Sequence, residues 1–259
     1  MTSRKVFNQE MEQLDRDVSQ MASLAREAIE KAVRCIISKD PTLKGEVERL
    51  DKEIYHMEQI IEKRCLDLIA LHAPVAGDLR TVSTCLKVIT DLDRIGRYAS
   101  DIVEVYDMLA LDNGIDRSDR VSRSVSIPQM AELVVRMVED ATDSFIRRDD
   151  RAARELFDRD DRVDQLYDLN FRAVITYMIE DPRRITVGTH VILVCRYLER
   201  IADHACNIGE RVVYMVTGER MDPTERKKGN NGSSPARRLP DSFDDLDQGD
   251  RSTHELADK

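Results

Sequence analysis

The tetrad Leu92-Asp93-Arg94-Ile95 recurs 106 residues later in the chain as Leu198-Glu199-Arg200-Ile201. The same offset relates further residues beyond the tetrads, namely Ala99, Ile102 and Glu104 to Ala205, Ile208 and Glu210. An offset of 109 residues relates Asp40, Glu46 and Asp51 to Asp149, Glu155 and Asp160. Self-similarity at a nearly fixed distance indicates a duplicated structural unit. The chain is therefore predicted to contain two related halves.

Both halves show the spacing of apolar residues that is typical of helices with one buried face. Six such stretches are visible, at residues 11–35, 50–68, 79–89, 130–145, 163–178 and 185–208. Prolines at positions 41, 74 and 182 interrupt the pattern and leave only short connections between successive stretches. The sequence thus predicts an all-α protein of two tandem, related three-helix bundles with six long antiparallel helices.

The domain boundaries follow from where the periodicity stops. We predict a first bundle at residues 1–111, a linker at 112–127, a second bundle at 128–221 and a disordered tail at 222–259. The linker contains Asp112-Asn113-Gly114 and lacks a sustained apolar face. The tail turns to Gly, Ser, Pro and charged residues, a composition that buries too little apolar surface to fold.

Composition excludes several classes of protein. Charged residues make up 35% of the chain and aromatic residues only 5%, which favours amphipathic helices over sandwiches and barrels. The net charge of -10 would repel nucleic acid, so no direct nucleic-acid binding is expected. The five scattered cysteines include no CxxC pair and are predicted to be reduced core residues. No signal-type or membrane-spanning apolar segment is visible, so we expect a soluble, cytoplasmic protein.

Two acidic residues fall where the helical pattern calls for apolar ones. Continuing the apolar positions of the third helix in heptad steps leads to Asp93, and the sixth helix leads in the same way to Glu199. A carboxylate in a packing interface is costly unless it is paired or bound to a cation. Because both repeats break the same rule at the same place, these two carboxylates call for an explanation, either a bound cation or a basic partner.

The second repeat contains two stripes of oxygen-bearing side chains, one on each of two consecutive helices, and Glu199 belongs to the second of them. Glu199, Asp203 and Asn207 recur every four residues on one helix, as Asp160 and Asp164 do on the helix before it. If the stripes face each other, their oxygens would suit a hard or borderline cation. The predicted ligands of a metal ion or multinuclear metal cluster of unknown identity are Asp160, Asp164, Glu199, Asp203 and Asn207.

The first repeat offers a weaker version of this site. Its candidate ligands are Asp51, Asp93 and Asp101. Arg97 falls within the same stripe and would repel a cation. In an alternative interpretation, the unexpected acids of both repeats pair with arginines such as Arg94 and Arg200 and only fix helix register. Acidic stripes also occur on solvated helix faces, so spacing alone leaves both interpretations open.

Longer motifs resemble the PhoU family. They are LIALHAPVAGDLR at residues 68–80 with LDRIG at 92–96, and YMIED at 177–181 with LERIADH at 198–204. The resemblance covers residues 5–220 and excludes the tail. It implies a pair of three-helix bundles and a non-enzymatic negative regulator. Such a protein couples the phosphate ABC transporter to the phosphate-sensing histidine kinase, and restrains phosphate uptake and the phosphate-starvation genes when phosphate is plentiful.

The resemblance also carries expectations about partners and metal. The partners would be the transporter ATPase and the kinase, with recruitment to the membrane only through them, and we expect a homodimer. The family's metal-associated motif is an acidic residue followed four positions later by Asp. That motif is complete at Asp160 with Asp164 and at Glu199 with Asp203. In the first repeat, Tyr55 and Arg97 replace the second acids, so one competent and one degenerate site are predicted.

Two other functions fit parts of the sequence. Glu53 and His56 match the ExxH spacing of di-iron bundles, which would make the chain a ferritin-like oxidase or metal store. That architecture needs a second ExxH, which this sequence does not supply. A ligand-free helical adaptor would show the same amphipathic helices but an elongated shape.

Overall fold

The protein is built almost entirely from long helices. The structure, a computed structural model, describes residues 3–111 and 125–221. Six α-helices lie within these residues: α1 Ser3–Ser38, α2 Thr42–His72, α3 Ala76–Leu111, α4 Ile127–Arg147, α5 Asp150–Glu180 and α6 Ile185–Thr217. One 3₁₀ turn, Pro182–Arg184, connects α5 to α6. Because no strand occurs in either described range, the predicted all-α class is confirmed.

The helices form two groups of three. Helices α1, α2 and α3 pack against one another, and α4, α5 and α6 do the same. Predicted apolar positions that are buried in these cores include Leu14, Val18, Met21, Ile54, Val134, Met137 and Phe145. Helix α4 begins at Ile127, one residue before the predicted start of the second bundle. Most of the predicted linker and the whole predicted tail, 222–259, lie outside the described residues.

Aspartates at the short connections start the next helix in each bundle. The Oδ1 atom of Asp40 accepts a hydrogen bond from the backbone N–H of Thr42 at 3.0 Å, where α2 begins. Asp149 accepts one from the N–H of Ala152 at 3.0 Å at the start of α5. These bonds satisfy N–H groups that have no partner within the helix. Because the connections are short, consecutive helices must run antiparallel.

The two bundles pack side by side through α3 and α6. The rings of Tyr98 and Tyr197 lie 6.0 Å apart between centroids. Nearer the start of α3, the Arg80 side chain donates a hydrogen bond to the backbone oxygen of Met215, near the end of α6. Helices α3 and α6 are therefore antiparallel to each other.

Helices α1 and α4 make the second contact between the bundles. Arg148 forms an ion pair with Asp15 at 2.8 Å, and Arg26 forms one with Glu139 at 3.1 Å. Along α1 the paired residues rise from Asp15 to Arg26, while their partners fall from Arg148 to Glu139, so α1 and α4 are also antiparallel. The bundles are thus related by an approximate twofold axis, and their lateral packing differs from the elongated arrangement expected of a coiled-coil adaptor.

Three residues assigned to packing faces are exposed instead. Leu79 and Ile185 lie in the first two turns of α3 and α6, where the helix end leaves their side chains open to solvent. Phe171 lies on α5, which packs mainly against α4 and α6 and takes no large part in the contact between bundles. The apolar pattern identified the helices correctly but misplaced these three side chains.

Candidate functional site

Glu199 lies on α6 with its side chain only 16% exposed, in agreement with its place in the apolar pattern. Its Oε1 atom accepts a hydrogen bond from Arg196 Nη1, one turn earlier, at 2.8 Å. Its Oε2 atom is buried and has no hydrogen-bond partner. Pairing with an arginine, the alternative to metal binding, therefore accounts for one oxygen of Glu199 through Arg196. The second oxygen stays buried without a partner, which is energetically costly.

The acidic residues of α5 and α6 act on one another electrostatically. Burial raises the pKa of Glu199 to about 7, and the neighbouring Asp203 carboxylate contributes to the rise while Arg196 opposes it. Burial also raises the pKa of Asp164 on α5 to about 6, again with a contribution from Asp203. Asp160, one turn before Asp164, is half-buried. Glu199, Asp164 and Asp203 thus act on one another across two helices, and we call these three residues, with Asp160, the second-repeat cluster.

The first repeat contains a comparable cluster. One buried oxygen of Asp51 on α2 and one of Asp93 on α3 have no hydrogen-bond partner. Burial raises the pKa of Asp93, with Arg97 opposing the rise and Asp51 adding to it. Burial raises the pKa of Asp101 to about 6, with Glu104 contributing and Arg97 opposing. Arg97 therefore lies among the acids of this first-repeat cluster, as the sequence indicated.

Glu58 extends the first-repeat cluster and was not among the predicted ligands. Burial raises its pKa, and the Asp93 carboxylate adds to the rise. Glu58 lies seven residues after Asp51 on α2, and this spacing places both side chains on the same face of the helix. The spacing is the signal by which the sequence could have identified Glu58. Tyr55, at the position where the resemblance implies a second acid on α2, is exposed.

Both clusters have the donor chemistry of a cation site. Asp93 and Glu199 occupy equivalent positions in the two repeats, and each has a buried oxygen without a hydrogen-bond partner. Carboxylate oxygens are the donors that hard and borderline cations prefer. Across residues 3–111 and 125–221, however, no three His, Cys, Asp or Glu side chains are grouped closely enough to hold a metal ion. Binding would therefore require the carboxylates of a cluster to draw together.

Asn207 lies in a different environment from the other predicted ligands. Its amide nitrogen donates a hydrogen bond to Asp91 Oδ1 on α3 at 3.4 Å. The Nδ1 atom of His204 lies 2.8 Å from the same oxygen, and Arg211 Nε lies 3.8 Å from Asp91 Oδ2. Asp91 is only 8% exposed. Asn207 and His204 thus belong to a polar cluster that joins the two bundles, and we leave Asn207 out of the proposed metal ligands.

Comparison with known families identifies both bundles. The model of the PhoU domain matches residues 18–106 and residues 127–212, one match for each bundle. The chain belongs to the PhoU family. Both acidic clusters lie inside these two PhoU domains, whereas residues 222–259 lie outside them.

Relatives of known name agree with this assignment. A phosphate-specific transport system accessory protein PhoU homolog of Clostridium acetobutylicum is 34% identical over 85% of this chain and 98% of its own length. Another, of Aquifex aeolicus, is 39% identical over 83% of this chain and 94% of its own.

Solved structures of the PhoU family share the fold. The crystal structure of PhoU from Pseudomonas aeruginosa is 33% identical and covers 82% of this chain and 100% of that one, with a TM-score of 0.73. That of the phosphate transport system regulatory protein PhoU from Streptococcus pneumoniae is 27% identical, with coverages of 83% and 99% and a TM-score of 0.73. The paired three-helix bundles are therefore the arrangement of the family.

The ferritin-like alternative does not fit the PhoU fold found here. Glu53 and His56 are both exposed on α2, so they do not form the inward-facing pair that a di-iron bundle needs. All five cysteines are buried, which confirms their predicted place in the core. Within residues 3–111 and 125–221, no helix combines the length and apolar character that crossing a bilayer requires.

Proposed function

We propose that the protein is an accessory regulator of phosphate-specific transport. In this proposal it couples the phosphate ABC transporter to the phosphate-sensing histidine kinase in the cytoplasm, as a negative regulator. When phosphate is plentiful, it restrains phosphate uptake and the transcription of the phosphate-starvation genes. The observation that carries the proposal is the PhoU-domain match to both bundles, together with relatives whose names assign them to phosphate-specific transport.

The architecture supports action by contact rather than by turnover. The polar cluster around Asp91 and the ion pairs between α1 and α4 hold the two bundles together as one scaffold. Such a scaffold offers separate helical surfaces to the transporter ATPase and to the kinase. We further propose that the protein is not an enzyme, does not bind nucleic acid directly, reaches the membrane only through its partners and forms a homodimer.

Deleting the gene in its native host tests the regulatory proposal. We expect genes of the phosphate-starvation response to become active in phosphate-rich medium, because the restraint on the kinase is lost. The measurement is reporter expression at high and low phosphate, with the intact gene supplied on a plasmid as the control. Unchanged repression at high phosphate in the deletion strain would count against the proposal.

We also propose that the second-repeat cluster binds a metal ion through Asp160, Asp164, Glu199 and Asp203. The first-repeat acids Asp51, Asp93 and Asp101 form a weaker, degenerate site, because Arg97 lies among them. The support is the buried Glu199 oxygen without a hydrogen-bond partner, together with the Asp203 carboxylate, whose charge adds to the raised pKa of both Glu199 and Asp164. A bound cation would supply the positive charge that favours ionisation of all of them.

Metal titration of the purified chain distinguishes the two clusters. We expect Asp203→Asn to lower affinity for Mn²⁺ or Zn²⁺ by at least about tenfold, since it removes a proposed ligand. We expect Asp93→Asn to have a smaller effect. Exposed Glu53→Gln is the control for loss of one negative charge. Bound metal would be measured by equilibrium dialysis and mass spectrometry. Loss of metal in Asp93→Asn with none in Asp203→Asn would reverse the assignment.

A further inference from the structure

Cys65 on α2 and Cys85 on α3 face each other in the core of the first bundle. Both side chains are fully buried. The two thiols share a side-chain hydrogen bond, which together with burial raises the pKa of Cys85 well above its ordinary value. Neither residue belongs to the acidic clusters or to the polar cluster around Asp91, so this thiol pair is a separate feature of the first PhoU domain.

The packing register of α2 against α3 supports this arrangement independently. A Cβ atom added to Gly96 would lie 2.8 Å from Ile54 Cδ1, so the two helices approach closely where these residues meet. Cys65 lies eleven residues after Ile54, and Cys85 lies eleven residues before Gly96. Because eleven residues make about three helical turns, the same faces of the antiparallel helices meet again at the two cysteines.

The second bundle has valines at the equivalent positions. The repeat offsets of 109 and 106 residues relate Cys65 to Val174 and Cys85 to Val191. Both valines are buried. A free thiol packs as a small apolar group, so the two bundles fill the same place with side chains of similar size. Packing alone therefore does not require a facing pair of thiols in the first bundle.

The thiol pair lies close to the end of the α2–α3 hairpin where the two helices are joined. Between the cysteines, only Leu68, Val82 and Thr84 are buried. Leu71 and Val75, beside the connection, are 78% and 74% exposed. Local opening of this end therefore breaks few buried contacts and gives a small oxidant access to the thiols.

We propose that Cys65 and Cys85 form a reversible disulfide when the protein meets hydrogen peroxide. The thiolate of one cysteine attacks an oxygen of the peroxide and becomes a sulfenic acid, and the thiol proton leaves with the other oxygen as water. The second thiol attacks the sulfenic sulfur, so that the S–S bond forms and a second water leaves. The two thiols lose two electrons in total, and the peroxide gains them.

The disulfide joins α2 to α3 about two turns from Glu58 and Asp93 of the first-repeat cluster. It limits how far the two helices can separate there, and a dithiol reductant reverses it by thiol–disulfide exchange. This inference does not depend on the proposed role in phosphate regulation.

Thiol counting and peptide mapping after peroxide treatment of the purified full-length chain test this proposal. We expect the thiols that can be alkylated after unfolding to fall from five to three, with one disulfide-linked peptide pair that contains Cys65 and Cys85. Dithiothreitol should restore all five. Urea below the unfolding midpoint should speed the reaction without changing the pairing, because it favours local opening. Five thiols remaining with and without urea, a different cysteine pair or a disulfide between chains would overturn the proposal.

Valine substitutions provide matched variants, because valine occupies the equivalent positions in the second bundle. Cys65→Val and Cys85→Val should each fold and keep all four remaining thiols in peroxide. Cys35→Val, the same change at another buried cysteine of the first bundle, should still form the bond. Loss of two thiols in Cys65→Val, or loss of the bond in Cys35→Val, would contradict the proposed pairing.

Thermal unfolding shows whether the helices hold the two sulfurs in place for the bond. The disulfide closes a loop of about twenty residues in the unfolded chain, so the oxidised protein should melt about 5 °C or more above the reduced one. Peroxide should produce no such rise in Cys65→Val. A lower melting temperature once the Cys65–Cys85 bond has formed would mean that the bond distorts the hairpin, and would overturn the proposal.

Discussion

Replacing Gly209 with leucine is expected to lower the free energy of unfolding by about 3 kcal/mol or more. Gly209 is buried where α6 passes close to α5. A Cβ atom at this position would lie 2.9 Å from Leu156 Cδ1 and 3.0 Å from the backbone oxygen of Ala153. The Leu156 side chain can rotate away, but the backbone of α5 cannot. A leucine would therefore push the two helices apart and disrupt the core of the second bundle.

Gly45→Leu is the matched control for this substitution. Gly45 is exposed on α2, and a Cβ added there meets nothing within 4 Å. Leucine is the better helix former by roughly 0.8 kcal/mol, so a small gain in stability is expected. Urea unfolding monitored by circular dichroism measures both variants. If the two substitutions had the same effect, the close approach of α5 and α6 at Gly209 would be refuted.

Replacing Glu199 with glutamine is expected to stabilise the metal-free protein by about 2 kcal/mol at pH 8 and to have little effect at pH 4. The pKa of Glu199 is raised from 4.5 to about 7, mainly by burial. Between these values the folded protein binds more protons than the unfolded chain. Wild-type stability therefore falls as the pH rises from about 4.5 to 7. Glutamine carries no charge at any pH and avoids this loss.

Chelator and added metal make the Glu199 prediction decisive. Unfolding would be measured with EDTA across the pH range, and exposed Glu53→Gln should show no comparable gain at pH 8. If Glu199→Gln were destabilising at pH 8 with EDTA, the uncompensated carboxylate would be the wrong explanation. With a cation that binds the second-repeat cluster, the sign should reverse, because ligand binding stabilises the folded wild type more than the variant.

Much of the fold could be predicted because the signals are local. The apolar spacing of Met130, Val134 and Phe145 identifies α4 and its buried face from a short window of sequence. The duplication is visible without any structure, since the tetrads repeat at a fixed offset. The same repeat singled out Asp93 and Glu199, and the structure buries one oxygen of each without a hydrogen-bond partner.

Other parts of the site could not be predicted, because they depend on which helices meet. Asp91 is an ordinary polar residue in the sequence, and only the antiparallel contact of α3 with α6 brings it to His204 and Asn207. Asn207 shares the four-residue spacing of Glu199 and Asp203, yet its amide bonds to another helix. Spacing along one helix fixes a direction around its axis but does not identify the neighbour on that side.

The sequence by itself determined the helices, their duplication and the two acidic positions within the apolar pattern, because helical periodicity and repeats are properties of neighbouring residues along the chain. Only the tertiary structure decided that the bundles pack side by side, that Asp91 becomes buried between them and that Cys65 faces Cys85 between α2 and α3. These features arise from contacts between residues far apart in sequence, and their energies depend on how whole helix faces fit together.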